Sequence, residues 1–375
     1  MTTTIDQIAS QSRIVAAPAG LKPGLYFNLD EDAYHGDPAL GSGSVRALAK
    51  CPIYYWTESW MNPFRVKDTD TAALLFGRAL HKLVLEGGKA FERGFAREPS
   101  MADYPDALRT ADDIKTALKA LGEKVSGLKP ELVDRLKAAN PCAVILDDVM
   151  ATFQADCLRT RRTILKPAIY DHVVAAAAFI ANDERVRAAF QGGRSEVSVV
   201  WEHNGVSLKA RFDHMRLGKN SKGDRIGLIT DLKSFANVME APPERAVIQA
   251  IANTRLDIQA ASYLKAAAKV GEYIKSGQVF GAEGVSTEWL DAFTALEPTD
   301  WQFFWVFYQK NAPVSLLRMT EPQSPMIEAA NMEFARAIES YKDNMQAFGT
   351  NWKFVDPMPD PRIDASDMPK WLIGA

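Results

Sequence analysis

The dipeptide Asn204-Gly205 constrains this chain more than any other feature. It separates two strand-like runs, Glu196-Val-Ser-Val-Val-Trp201 and Ser207-Leu-Lys-Ala-Arg-Phe212, with His203 leading into the turn. Asn and Gly tolerate the positive φ angles that a two-residue hairpin loop requires, so the pair predicts an antiparallel hairpin. The turn-rich segment Gly218-Lys-Asn-Ser-Lys-Gly223-Asp-Arg then leads into a third run, Ile226-Gly-Leu-Ile-Thr-Asp231-Leu-Lys233. The prediction is a three-stranded meander that presents two acids together, with Asp213 ending the second strand and Asp231 on the third.

Strand alternation adds a third group to this pair. Asp231 and Lys233 project to one side while Leu232 points into the core. Alone, an Asp-x-Lys triplet is as a rule a solvated strand edge. Here Ile226, Leu228, Ile229 and Leu232 surround the acid and describe a mostly buried strand. A buried carboxylate needs a partner, either the lysine or a metal. Two carboxylates and an ammonium at one sheet edge suit a hard divalent cation and the water or phosphate beside it.

Composition bounds the possibilities. With 375 residues, of which 47% are apolar, the chain has material for a large core. A net charge of -3 argues against a protein that binds nucleic acid over its whole surface, and leaves room for a local basic channel. Cys51, Cys142 and Cys157 lack metal-ligand spacing and fit a reducing cytoplasm. Residues 1–20 lack the apolar stretch of a signal peptide, and no run reaches membrane-spanning length. The expectation is a cytoplasmic protein with no membrane partner.

The remaining segments read as follows. Residues 1–22 form a flexible arm, and residues 23–355 form the main domain. Ser42 or Ser44 suits the N-cap of a short helix carrying Arg46. These residues are either a plain cap with a solvated arginine or a phosphate contact. A helix is predicted over Thr71–Glu86, and its His81 is either a packed residue or a metal neighbour. Between residues 110 and 140, two helices flank Glu123-Lys-Val-Ser-Gly-Leu-Lys129, the first ending at Gly122 and the second starting with Pro130. Residues 143–190 read as helical. Gln259 and Tyr263 share one helix face, as an ordinary polar edge or as site residues. Trp301–Tyr308 and Val314–Met319 predict a second hairpin, covered by a helix over Ser324–Phe348, and residues 356–375 form a Pro- and Asp-rich tail.

Taken in order, these motifs resemble a known family. Asp213 followed by Asp231-Leu-Lys233 is similar to the PD-(D/E)xK nuclease core. Gln259-Ala-Ala-Ser-Tyr263 looks like the Gln-xxx-Tyr motif of its RecB-like branch, and Phe76–Glu86 like its histidine-bearing helix. From about Gly24 to about Lys275 the chain resembles the nuclease domain of the RecE-type exodeoxyribonuclease VIII family of phages and prophages. It departs from the pattern in having Phe212 where the motif has proline, and Asp231 where many members have Glu. The segment 110–140 resembles the SAP motif, a small DNA-binding module. Its acids nearly match its lysines and arginines, so a surface hairpin without DNA contact is an equal alternative.

The resemblance implies an α/β fold with a restriction-endonuclease-like core, a central mixed sheet flanked by helices. It implies Mg2+, with Mn2+ as a substitute, held by Asp213, Asp231 and the Leu232 carbonyl, with His81 close by and Glu196 as a further acid or merely a solvated strand end. Lys233 would position the attacking water, and Gln259 and Tyr263 would orient the catalytic groups. Ser42, Ser44 and Arg46 would touch a terminal phosphate, and Lys124 and Lys129 of the SAP-like insert would touch the DNA backbone. The implied activity is ATP-independent exonuclease digestion of linear double-stranded DNA from its ends, 5′ to 3′, leaving 3′ single-stranded tails for recombination. The implied partners are DNA ends, a single-strand annealing protein, and copies of the chain in a trimeric or tetrameric ring, in a bacterial host cell if phage-encoded. The alternatives are a PD-(D/E)xK endonuclease and a non-catalytic DNA-binding protein that keeps the fold.

Overall fold

A computed structural model describes residues 16–66, 71–311, 317–322 and 324–351. Among them are the strands β1 (Gly24–Tyr26), β2 (Phe95–Arg97), β3 (Thr163–Leu165), β4 (Gly193–His203), β5 (Val206–Lys219), β6 (Arg225–Phe235), β7 (Val279–Phe280), β8 (Trp301–Gln309) and β9 (Leu317–Thr320). The fold is α/β, with a seven-stranded mixed sheet in the order β7-β1-β4-β5-β6-β8-β9 and helices flanking it. β6 and β8 pair in parallel, while β4, β5 and β6 form the expected antiparallel meander. Two compact units are present. The first holds the described residues of Met1–Asp68, Phe190–Asn311 and Leu316–Ala375, and the second those of Thr69–Ala189.

In the first unit, the β4-β5 hairpin turns on Asn204 (φ 50°) and Gly205 (φ 78°), as the dipeptide predicts. Its register runs from His203↔Val206 to Gly193↔Arg216. Val197, Val199 and Trp201 of β4 and Leu208, Ala210 and Phe212 of β5 enter the core together with Phe303, Trp305 and Phe307 of β8. The helix Leu256–Ala267 packs on β4, β5 and β8 and also meets the helix Ser324–Phe348. That last helix has the bounds read from the sequence. The turn of the second predicted hairpin and the C-terminal tail lie outside the described residues. At the N-terminal side, the Leu21 amide donates to Asp37 Oδ2 at 2.5 Å, next to the start of β1.

Three sequence expectations are corrected here. Asp213 does not end its strand, because β5 continues to Lys219 by pairing with β6. The helix Ser42–Lys50 is capped by Gly41, without a side-chain bond, so neither Ser42 nor Ser44 is the N-cap. Residues 143–190 are not helical throughout. β3 interrupts them because Thr163, Ile164 and Leu165 pair with β2, and a tertiary partner overrides local propensity there.

In the second unit, Thr71 caps the helix Ala72–His81, and a π-helical turn over Lys82–Glu86 completes the predicted element. Thr110 and Asp113 form a capping box on the helix Ala111–Ala120. This helix packs against Lys129–Ala139 through Ile114, Leu118, Leu132 and Leu136, with Ile145 closing the cluster. Among the described residues, no helix is long and apolar enough to cross a membrane.

Candidate active site

Asp213 and Asp231 meet where two strands part company. The β5-β6 ladder ends at His214↔Thr230, and beyond that rung β6 continues against β8 while β5 continues against β4. Asp213 and Asp231 are the first residues past this fork. The usual alternation also breaks there, since Phe212 and Met215, three positions apart, both reach the core. At the fork the Leu232 amide has no β5 carbonyl in register, and it donates instead to Asp213 Oδ2 at 2.7 Å.

Asp231 is fully buried, and its two oxygens face different partners, one in a hydrogen bond and the other in an ion pair. Gln259 Nε2 donates to Oδ1 at 3.0 Å, and Lys233 Nζ lies 2.5 Å from Oδ2. Lys233 and Asp231 thus stand on one side, as alternation predicts, while Leu232 is buried. Tyr263, one turn after Gln259, is buried with its ring against Phe212 and Phe303. Burial pushes the Tyr263 hydroxyl well up, and Tyr34, Asp231 and Asp213 push it the same way. Asp213 is also raised by burial, against the opposing pull of Lys233 and the Leu232 amide. A carboxyl raised by burial is one that a bound cation would stabilise in its ionised form.

Glu196 lies across from Asp213 in the β4-β5 register, between the rungs Ser195↔His214 and Val197↔Phe212. Its φ is 56°, although the pairing on each side keeps step. A non-glycine residue held in this left-handed region costs on the order of 1 kcal/mol, so its surroundings must enforce it. Glu196, Asp213 and Asp231 therefore form a transverse row over three adjacent strands. Among the described residues, however, no three His, Cys, Asp or Glu side chains close into a metal cage.

The other sequence-assigned residues are distributed as follows. Arg46 reaches toward this site. Its Nη1 donates to the Thr254 carbonyl at 2.7 Å, burial lowers its pKa, and Tyr263, Asp231 and Asp257 oppose that shift. Ser42 and Ser44 lie on the same short helix and are half-buried. His81 ends its helix in the second unit. Lys124 and Lys129 belong to the SAP-like segment. The ammonium of Lys129 is engaged internally, with the Arg109 carbonyl at 2.9 Å and Asp147 at 2.5 Å. Lys124 is exposed, and its carbonyl accepts from Arg135.

Three residues outside the sequence motifs, Tyr34, Lys209 and Arg211, cluster beside the strand that carries Asp213. Arg211 stacks over the Tyr34 ring at 4.2 Å, and Lys209 lies 4.9 Å from the same ring. Lys209 Nζ donates to the carbonyls of Tyr34 and Asp37 at 2.6 and 2.7 Å. Together the two cations hold the short helix Glu31–Gly36 against β5. Alternation backward along the strand from Asp213 points to both positions.

Comparison with known proteins adds a local match and a distant likeness. No curated protein matches the chain in sequence. A crystal structure from Eubacterium rectale, provisionally described as an exonuclease, covers 93% of this chain and 99% of its own at 13% identity, with a TM-score of 0.44. Residues 107–140, which hold the helices Ala111–Ala120 and Lys129–Ala139 of the second unit, match the SAP domain family.

Proposed function

We propose that the chain is a metal-dependent DNA nuclease of the PD-(D/E)xK type that digests linear double-stranded DNA from its ends. The observation that carries this reading is the fork between β5 and β6. It brings Asp213, Asp231 and Lys233 together in a mostly buried setting, and Gln259 fixes the second acid from a neighbouring helix. An arrangement built only for stability would gain little from burying two carboxylates side by side.

The donor set fits Mg2+, which favours hard oxygen ligands and keeps waters and substrate phosphates in its shell rather than demanding a full protein cage. Asp213, Asp231 and the Leu232 carbonyl would hold it, with Glu196 as a further acid, and Mn2+ would substitute. His81 belongs to the second unit and is not assigned a ligand role in this reading of the first unit's site. When bound, the cation polarises the scissile phosphate and lowers the pKa of a coordinated water. Lys233 orients the attacking water and offsets charge on the phosphate oxygens. Gln259 holds Asp231 in one rotamer by its bond to Oδ1, and Tyr263 stays protonated and serves as a donor. Arg46, with Ser42 and Ser44 on its helix, contacts a terminal phosphate.

In the same proposal, the SAP-like segment adds sequence-independent affinity through phosphate contacts, Lys124 among them. The reaction proceeds 5′ to 3′, requires no ATP and leaves 3′ single-stranded tails. A single-strand annealing protein takes up these tails, and copies of the chain form a ring around the duplex in the cytoplasm of a bacterial host.

The test uses purified protein on linear, nicked and circular duplexes with Mg2+ or with EDTA. Degradation of linear DNA alone, abolished by EDTA, is the expected result. Cleavage of circles would replace the exonuclease reading with an endonuclease one, and metal-independent binding without cleavage of any substrate would remove the enzyme reading.

A further inference from the structure

Arg211 has no part in the mechanism above, yet its guanidinium is committed in four directions. Nε donates to Ser198 Oγ at 2.9 Å, directly across the β4-β5 ladder. Nη2 donates to the Leu29 carbonyl at 3.0 Å, and the planar group lies over the Tyr34 ring. Nη1 comes within 3.8 Å of Glu196 Oε2. Only 12% of the side chain is exposed, so the group is pinned rather than sampling solvent.

The residue it faces is the one whose backbone departs from the strand. Glu196 carries the positive φ described above and lies across from Asp213, between the paired rungs Ser195↔His214 and Val197↔Phe212, and Asp213 is two positions along β5 from Arg211. Ser198, two positions along β4 from Glu196, anchors the same guanidinium. Arg211 thus reads the hairpin at the rungs on which Glu196 and Asp213 are presented, and its rigid fork has a shape that an ammonium cannot supply.

We propose that Arg211 is a positioning residue that holds the Glu196 carboxylate beside Asp213 and thereby completes one wall of the nuclease site. The proposal rests on the nuclease reading and deepens it. Arg211 acts through Glu196 and touches neither the scissile phosphate nor the attacking water. Its contacts with Leu29 and Tyr34 supply the rigidity that makes this positioning effective, since a residue that fixes another must itself be fixed.

The experiment is a double-mutant cycle in the full-length protein, with Glu196→Gln, Arg211→Met and the double variant assayed for Mg2+-supported degradation of linear duplex. Arg211→Lys and the thermal unfolding midpoint of every variant are followed in parallel. Each single variant is expected to lower kcat by about tenfold, and the double variant by about tenfold as well, because both act through one carboxylate. Arg211→Lys is expected to keep the unfolding midpoint near that of the wild type without restoring kcat. Additive losses, about a hundredfold in the double variant, would show that Arg211 acts independently of Glu196 and would overturn the proposal. A loss of kcat that tracks the unfolding midpoint across all variants would reduce Arg211 to a structural brace. Wild-type protein inactive on every DNA would instead sink the nuclease reading, and this proposal with it.

Discussion

Gln259 Nε2 donates to Asp231 Oδ1 at 3.0 Å, and this bond ties the helix Leu256–Ala267 to the third strand of the meander. Replacing Gln259 with Ala leaves a buried carboxylate oxygen short of a donor. The expected cost is about 1 to 3 kcal/mol of folding stability, read by chemical denaturation. Restored stability in Gln259→Asn would be unexpected, because the shorter side chain does not span the gap.

Asp231→Asn keeps the size of the side chain and removes its charge, so the fold should persist while the cleavage chemistry fails. Degradation of linear duplex should fall by at least about 100-fold, with duplex binding retained in a mobility-shift assay. Wild-type rates in this variant would show that the fork is not where cleavage occurs.

Lys209 sets a pH dependence of stability. Burial lowers its pKa to about 8 from an ordinary 10.5. Between these two values the unfolded chain binds a proton that the folded chain does not, so stability rises with pH across this window. The two N–H groups of the neutral amine still reach the Tyr34 and Asp37 carbonyls. The stability of the wild type relative to Lys209→Met should therefore increase from pH 8 to 10.5, by on the order of 3 kcal/mol, in denaturation series at fixed salt. A flat difference would place the pKa of Lys209 in its ordinary range.

The two lysines of the SAP-like segment should part ways under mutation. Lys124→Ala is expected to weaken duplex binding and make the salt dependence of log K shallower by about 1, measured by fluorescence anisotropy. Lys129→Ala should act on the helical pair itself, since its ammonium already serves Arg109 and Asp147. An equal change of salt slope in both variants would contradict this division.

The legible parts of this molecule are those set by neighbours in sequence. Asn204-Gly205 specifies its turn locally, and the apolar residues around Asp231 disclose a buried strand that also holds Lys233. Gln259 and Tyr263 can be paired by helical spacing alone. The fork is not legible in this way, because the parallel pairing of β6 with β8 joins residues some seventy positions apart and decides where β5 is left behind. For the same reason Asp213 reads as a strand end in sequence, although the chain continues as strand beyond it. Ser42 and Ser44 suggest a side-chain cap by residue type, whereas the backbone begins the helix at Ser42 with Gly41 outside it. Lys209 and Arg211 were within reach of simple alternation. Their roles depend on Tyr34, which lies some 175 residues earlier.

The two-residue turn at Asn204-Gly205 has a reach well beyond the surface it occupies. Its length helps set which residue of β4 faces which residue of β5 along the ladder, so the placement of Glu196 across from Asp213 depends on the tip of the hairpin. One amino acid inserted there would slide the ladder by a step and bring Asp213 opposite a different neighbour, with every acidic side chain intact. A lesion of spacing at the outer end of the hairpin would then disturb the proposed site as thoroughly as the loss of a carboxylate.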